Sequence, residues 1–134
     1  MNLLLDTHIL LWAILDDSRL SKTARRFIED AGNKVYFSVI SPWKVQIKHQ
    51  LHPDDLTLDG KQLAAFCREA GYLALPLKLP HIYKLASLER NPGAPEHRDP
   101  FDRMLICQAS VEEMILLTHD KRIGEYTDPC VLMV

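Results

Sequence analysis

Cysteine is scarce in this chain. Cys67, Cys107 and Cys130 are odd in number, widely spaced and set among apolar residues, which excludes a disulfide framework and a zinc site and reads as reduced, buried thiols of a cytosolic protein. No apolar run reaches transmembrane length, so no helical membrane span is expected. No basic segment precedes the first apolar stretch, and Leu3 to Leu5 reads as a core strand instead of part of a signal peptide. Positive charge is not in excess. Lys and Arg number 16 against 18 Asp and Glu, a net charge of −2 that argues against a broadly basic surface for coating nucleic acid. A local basic rim around an acidic site remains compatible with it. Repeats and low-complexity tracts are absent. No Ser or Cys nucleophile motif accompanies His8, His97 and His119, which read as supporting or structural groups.

What is present is an ordinary globular composition, 47% hydrophobic and 25% charged over 134 residues. That length suits one domain, 1–134, able to bury about two thirds of its unfolded surface. Strand and helix signals alternate. A short apolar run at 2–5 precedes a continuous apolar stretch at 7–15, expected as a largely buried helix. Ser21 caps a helix to 30 that Gly32-Asn33 stops, and β-branched and aromatic residues at 34–40 make a strand. Ser41-Pro42 opens a helix to about 50, 61–70 is a helix closed by Gly71, 72–75 a strand and 80–88 a helix. A loop at 91–98, a helix at 100–113 and strands at 114–118 and 131–134 complete the reading. The fold class is therefore α/β, with a central parallel sheet of about five strands covered by helices on both faces. Trp12 and Trp43 read as core residues more than as base-stacking platforms.

In such a fold the carboxyl ends of the strands share one edge, where ligands bind. Asp6 follows the first strand, Asp120 follows Ile115-Leu116-Leu117-Thr118-His119, and Asp102 opens a helix. Each has a local explanation: Asp6 as a helix cap, Asp99-Pro100-Phe101-Asp102 as a cap with proline and acid in the first turn, Asp120 as a turn initiator. Gathered at one edge, they repel by about 1 kcal/mol or more per close pair unless a cation intervenes. A divalent metal is the ordinary remedy, and such a ring suits phosphodiester chemistry.

Lys44 breaks this pattern. With Ser41 as N-cap it falls at the third helical position, where a capping box wants Glu or Gln and where a lysine opposes the helix dipole by roughly 0.3–1 kcal/mol. The alternative is that its long stem carries the ammonium to solvent.

Four segments carry a resemblance: Leu4-Leu5-Asp6-Thr7-His8, Ser41-Pro42-Trp43-Lys44-Val45-Gln46-Ile47-Lys48, His97-Arg98-Asp99-Pro100-Phe101-Asp102-Arg103 and Leu117-Thr118-His119-Asp120-Lys121. In order and spacing they resemble the signature segments of PIN-domain ribonucleases, and among these the VapC-type toxins of bacterial toxin–antitoxin modules. The resemblance implies a PIN-like three-layer α/β/α fold and a Mg²⁺- or Mn²⁺-dependent endoribonuclease. It also implies a tRNA or other structured RNA as substrate, a small antitoxin as partner, and a cytoplasmic homodimer. By position it assigns Asp6, Asp102 and Asp120 to the metal, Asp99 as an auxiliary acid, and Thr7, Ser41 and Thr118 as small polar neighbours. Arg98, Arg103 and Lys121, with Lys48 and Arg122, are candidates to track RNA phosphates, each with a solvated surface charge as the plainer reading.

The departure is Lys44, where the family has glutamate. The change amounts to two charge units, each interaction worth about 4 kcal/mol at about 4 Å and an effective dielectric of about 20. The ammonium is expected either to swing among Asp6, Asp102 and Asp120 in place of the metal, or to point away and leave a weakened site. The other signature positions are intact, which favours one inactivating change over gradual decay. Two alternatives stay open: a non-catalytic PIN-fold module that binds an antitoxin, and an RNA-maturation nuclease without one.

Overall fold

Five parallel strands form one sheet in the order β3-β2-β1-β4-β5: β1 (Asn2–Leu5), β2 (Lys34–Ser38), β3 (Leu73–Leu75), β4 (Ile115–Thr118) and β5 (Val131–Met133). The structure is a computed structural model and describes residues 1–134. Seven helices connect and cover the strands: α1 (Thr7–Ile14), α2 (Lys22–Glu29), α3 (Ile40–Leu51), α4 (Gly60–Glu69), α5 (Leu79–Lys84, continued by a 3-10 turn at Leu85–Ser87), α6 (Pro100–Val111) and α7 (Lys121–Gly124).

Side-chain alternation along the strands divides the core into two layers. Leu3, Leu5 and Leu117 point to one face and pack with Ile9 and Leu10 of α1, Val45 of α3 and Leu63 of α4. Leu4 and Leu116 point to the other and pack with Leu105 and Ile106 of α6 and Ile123 of α7. The result is the α/β/α sandwich expected from the sequence. Cys67, Cys107 and Cys130 are buried, free thiols.

Four expectations need correction. Helix α1 ends at Ile14 and is not largely buried: only Thr7, Ile9 and Leu10 are, because the sheet meets one side of it and Leu15 stands 54% exposed. Helix α3 starts at Ile40, not Ser41. The Ser38 hydroxyl accepts the Ile40 N–H at 3.1 Å, while the Ser41 hydroxyl is turned inward to Thr7. Lys44 therefore lies in the second turn, and the capping-box argument against it does not apply. Trp43 is 56% exposed and rests edge-on against Phe101, so it is no core residue. Asp120 initiates not only a turn but the short helix α7.

Candidate active site

Chain direction locates the crevice. From β1 the chain moves outward to β2 and β3, then returns to the other side of β1 for β4 and β5. The strand order reverses at β1, so the open crevice lies beyond the carboxyl ends of β1 and β4. Asp6 and Thr118 meet there. The Asp6 backbone N–H continues the sheet by donating to the Leu117 carbonyl at 3.1 Å. One Asp6 carboxylate oxygen caps α1 by accepting the Ile9 N–H at 2.7 Å, and the other accepts the Thr118 hydroxyl. Asp6 is 2% exposed. Burial pushes its pKa up to about 6, opposed by the Thr118 and Ile9 bonds and reinforced by the charges of Asp102 and Asp120.

Asp120 donates its own N–H to Thr118 Oγ at 3.0 Å and caps α7 by accepting the Arg122 N–H at 2.8 Å. Asp99 caps α6, its Oδ1 accepting the N–H groups of Phe101 (2.9 Å) and Asp102 (3.2 Å), with Pro100 at the first helical position. That places Asp102 on the inner side of the first turn, buried. Its second oxygen faces His97 Nε2 at 3.3 Å, and His97 Nδ1 lies 2.9 Å from the Tyr126 hydroxyl. A carboxylate only accepts, so Nε2–H donates to Asp102 and Nδ1 accepts from Tyr126. Nothing in the sequence around Tyr126 marks it for this role, since it lies 29 residues from His97.

Lys44 completes the group. Its Nζ lies 2.7 Å from Asp99 Oδ2 and 3.5 Å from Asp102 Oδ1, with its side chain 13% exposed. No ion pair joins it to Asp6 or Asp120, so of the three partners expected it reaches only Asp102, and Asp99 is the closer acid. Burial disfavours the Lys44 charge, but the Asp99 bond and the Asp102 charge outweigh this and raise its pKa. Burial likewise works against ionised Asp99, yet Lys44 and the capped amides hold its pKa below the usual carboxylate value. Asp102 is raised by burial, partly countered by Lys44 and reinforced by Asp99.

Thr7 and Ser41 share a buried hydroxyl–hydroxyl bond of 3.0 Å that ties α1 to α3 beside the crevice. The basic candidates scatter. Arg98 is exposed and paired with Glu96, Lys121 and Arg122 are exposed on α7, and Arg103 is half-buried on α6. His8 stacks on Trp12 and its pKa is lowered by burial and by Lys48 and Lys44, while His119 contacts the Val134 carbonyl.

These residues do not fit a divalent ion as they stand. No three His, Cys, Asp or Glu side chains are arranged to hold one. Between Asp99 and Asp102 the counter-charge is already supplied by an ammonium.

The PIN domain family model matches residues 3–129. The chain belongs to the PIN domain family. Among curated proteins none matches. Among solved structures, the PIN fold here is similar to a chain in the crystal structure of VapBC2 from Rickettsia felis bound to a DNA fragment from their promoter. The TM-score is 0.61 at 12% identity, over 100% of this chain and 98% of that one. At that identity the likeness bears on the fold alone.

Proposed function

We propose that this chain, a single PIN domain over 1–134, is a VapC-type toxin of a toxin–antitoxin module: a Mg²⁺- or Mn²⁺-dependent endoribonuclease impaired by Lys44. The carrying observation is the Lys44–Asp99 contact of 2.7 Å, an ion pair inside the carboxylate group at the crevice. Support for the nuclease ancestry comes from the carboxylates at the crevice: Asp6 feels the charges of Asp102 and Asp120, and Asp102 that of Asp120. Support for an antitoxin partner comes from the shared fold with a chain of the VapBC2 structure. A divalent ion in such a ring supplies Lewis-acid chemistry for phosphodiester hydrolysis. Lys44→Glu removes the competing cation and adds the fourth carboxylate.

The test assays Lys44→Glu beside the parent on tRNA and a broad RNA panel, with Mg²⁺ and with Mn²⁺. We expect metal-dependent cleavage by the variant and little or none by the parent. A variant inert with both metals defeats the nuclease reading. Lys44 also favours a second reading, a non-catalytic module retained to bind an antitoxin. Under it the parent binds the product of a short neighbouring reading frame with an apolar tail, and Lys44→Glu stays inert. An RNA-maturation nuclease predicts no such neighbour.

We also propose a cytoplasmic homodimer. Free thiols fit that compartment, and no helix is long and apolar enough to cross a membrane. Trp43, Leu79 and Tyr83, each more than half exposed, are the apolar surface that pairing would cover.

A further inference from the structure

A groove of about 470 Å³ lies between α1 and α3 and begins at His8, two residues after Asp6. The Thr7–Ser41 bond ties the first turns of the two helices together. On the α3 side Lys44, Lys48 and His52 follow at four-residue intervals, so Lys48 stands one turn below Lys44 on the same face. On the α1 side His8 and Trp12 also stand one turn apart, their rings 5.9 Å from centre to centre and within 16° of coplanar. Arg19 lies over Trp12 at 5.4 Å, oriented by its bidentate pair with Asp17. Leu56 lines the floor, and Asp55 is the one carboxylate in the wall. Lys48 is exposed and makes no ion pair with any carboxylate.

We propose that this groove is a nucleotide subsite that seats an unpaired segment of RNA leaving the acidic crevice, with a base on His8, the exposed member of the His8–Trp12 stack, and a phosphate on Lys48. The inference rests on the nuclease reading and adds to it the path of the strand. The volume lies in the range of small-ligand sites. Aromatic planes joined to cations are what sequence-tolerant binding of single strands uses, because every base offers a π face and every linkage a negative charge. The groove starts at His8, two residues after Asp6, and its rim carries the unpaired ammonium of Lys48 one turn along α3 from Lys44, which itself pairs with Asp99 and Asp102. An acidic, apolar peptide is the competing occupant.

The test uses the full chain in EDTA, so that binding is read apart from cleavage, with octauridylate as probe. Trp43→Phe leaves Trp12 as the sole tryptophan. We expect octauridylate to quench Trp12. Lys48→Glu should weaken binding about tenfold and lower the salt slope by about one. Trp12→Phe, read by the fluorescence anisotropy of end-labelled octauridylate, should weaken it a few fold at unchanged slope. Unchanged Trp12 emission, or parental affinity in Lys48→Glu, overturns the proposal. So does quenching by the apolar tail of a neighbouring antitoxin where octauridylate gives none. Failure of the nuclease reading looks different: Lys44→Glu is inert while octauridylate still binds in the groove. Conversely, a cleaving Lys44→Glu form with a silent groove overturns the subsite alone.

Discussion

Lys44 Nζ lies 2.7 Å from Oδ2 of Asp99, while Oδ1 of the same carboxylate caps α6. One side chain thus serves two helices, holding the start of α6 with one oxygen and the second turn of α3 with the other. In a PIN domain with an acid at position 44, Asp99 and Asp102 would face a third negative charge, and a cation from solution would have to relieve it. Here the relief is built into the chain.

Lys44→Met should therefore destabilise the fold. Breaking a buried pair costs about 3–5 kcal/mol, and the 30% exposure of Asp99 lowers the expectation to about 2 kcal/mol. The sign with pH follows from the depressed Asp99 pKa. Its contribution is fully present above the ordinary carboxylate value of about 4 and is lost as pH falls through the lower folded value. Urea denaturation of both proteins at pH 7 and again near pH 3 measures the difference. Equal stability at pH 7 would show that the pair contributes nothing.

Asp6 points the other way. Its pKa is raised from 3.8 to about 6, so the native state holds the proton more tightly than the unfolded chain. Stability should fall as pH rises from about 4 to about 6 and then level off. Asn keeps the cap on α1 and carries no charge. Asp6→Asn in EDTA should accordingly be more stable than the parent at pH 7, by at most about 3 kcal/mol. The gap should close below pH 4. A variant less stable at pH 7 would mean that ionised Asp6 is better solvated than its 2% exposure implies.

The element order was legible in the sequence because apolar runs and caps alternate cleanly, and parallel topology then puts Asp6 and Asp120 at one edge without further information. The cap reading holds for Asp6 and Asp99, and Asp120, expected as a turn initiator, caps a helix as well, each of the three at the start of a helix beside the crevice. Long-range choices stayed hidden. Ser38 and Ser41 are both competent to cap α3, and the outcome depends on Thr7, 34 residues from Ser41. Likewise the partner of Gln108 is Ser38, 70 residues away, at 2.6 Å. Local rules cannot see either pairing.

The Thr7–Ser41 bond should behave as a coupled pair. Thr7→Val and Ser41→Ala each leave one buried hydroxyl without its partner, at about 1–3 kcal/mol. Removing both leaves nothing unsatisfied, so the double variant should lose less than the sum of the two. A double-mutant cycle in urea should return a coupling of about 1 kcal/mol. Strict additivity would show that the two hydroxyls act independently.

Gly60 sets the distance between α3 and α4. A Cβ added there would lie 2.5 Å from the Pro42 carbonyl oxygen and 3.2 Å from Cβ of Gln46, both on α3. The glycine N–H also donates to Gln46 Oε1 at 3.0 Å, so the two backbones are held in register as well as in contact. Backbone cannot yield as a flexible side chain does, and Gly60→Ala must push the first turn of α3 away from α4. Overpacking of this kind costs about 1–3 kcal/mol. The displaced turn carries Ser41, and the next carries Lys44. The substitution should therefore also loosen the Lys44–Asp99 pair, and Lys44→Met should cost less in the Gly60→Ala background than in the parent. Urea denaturation of the four proteins measures this, and a full Lys44→Met penalty in the alanine background would show that α3 absorbs the strain before its second turn.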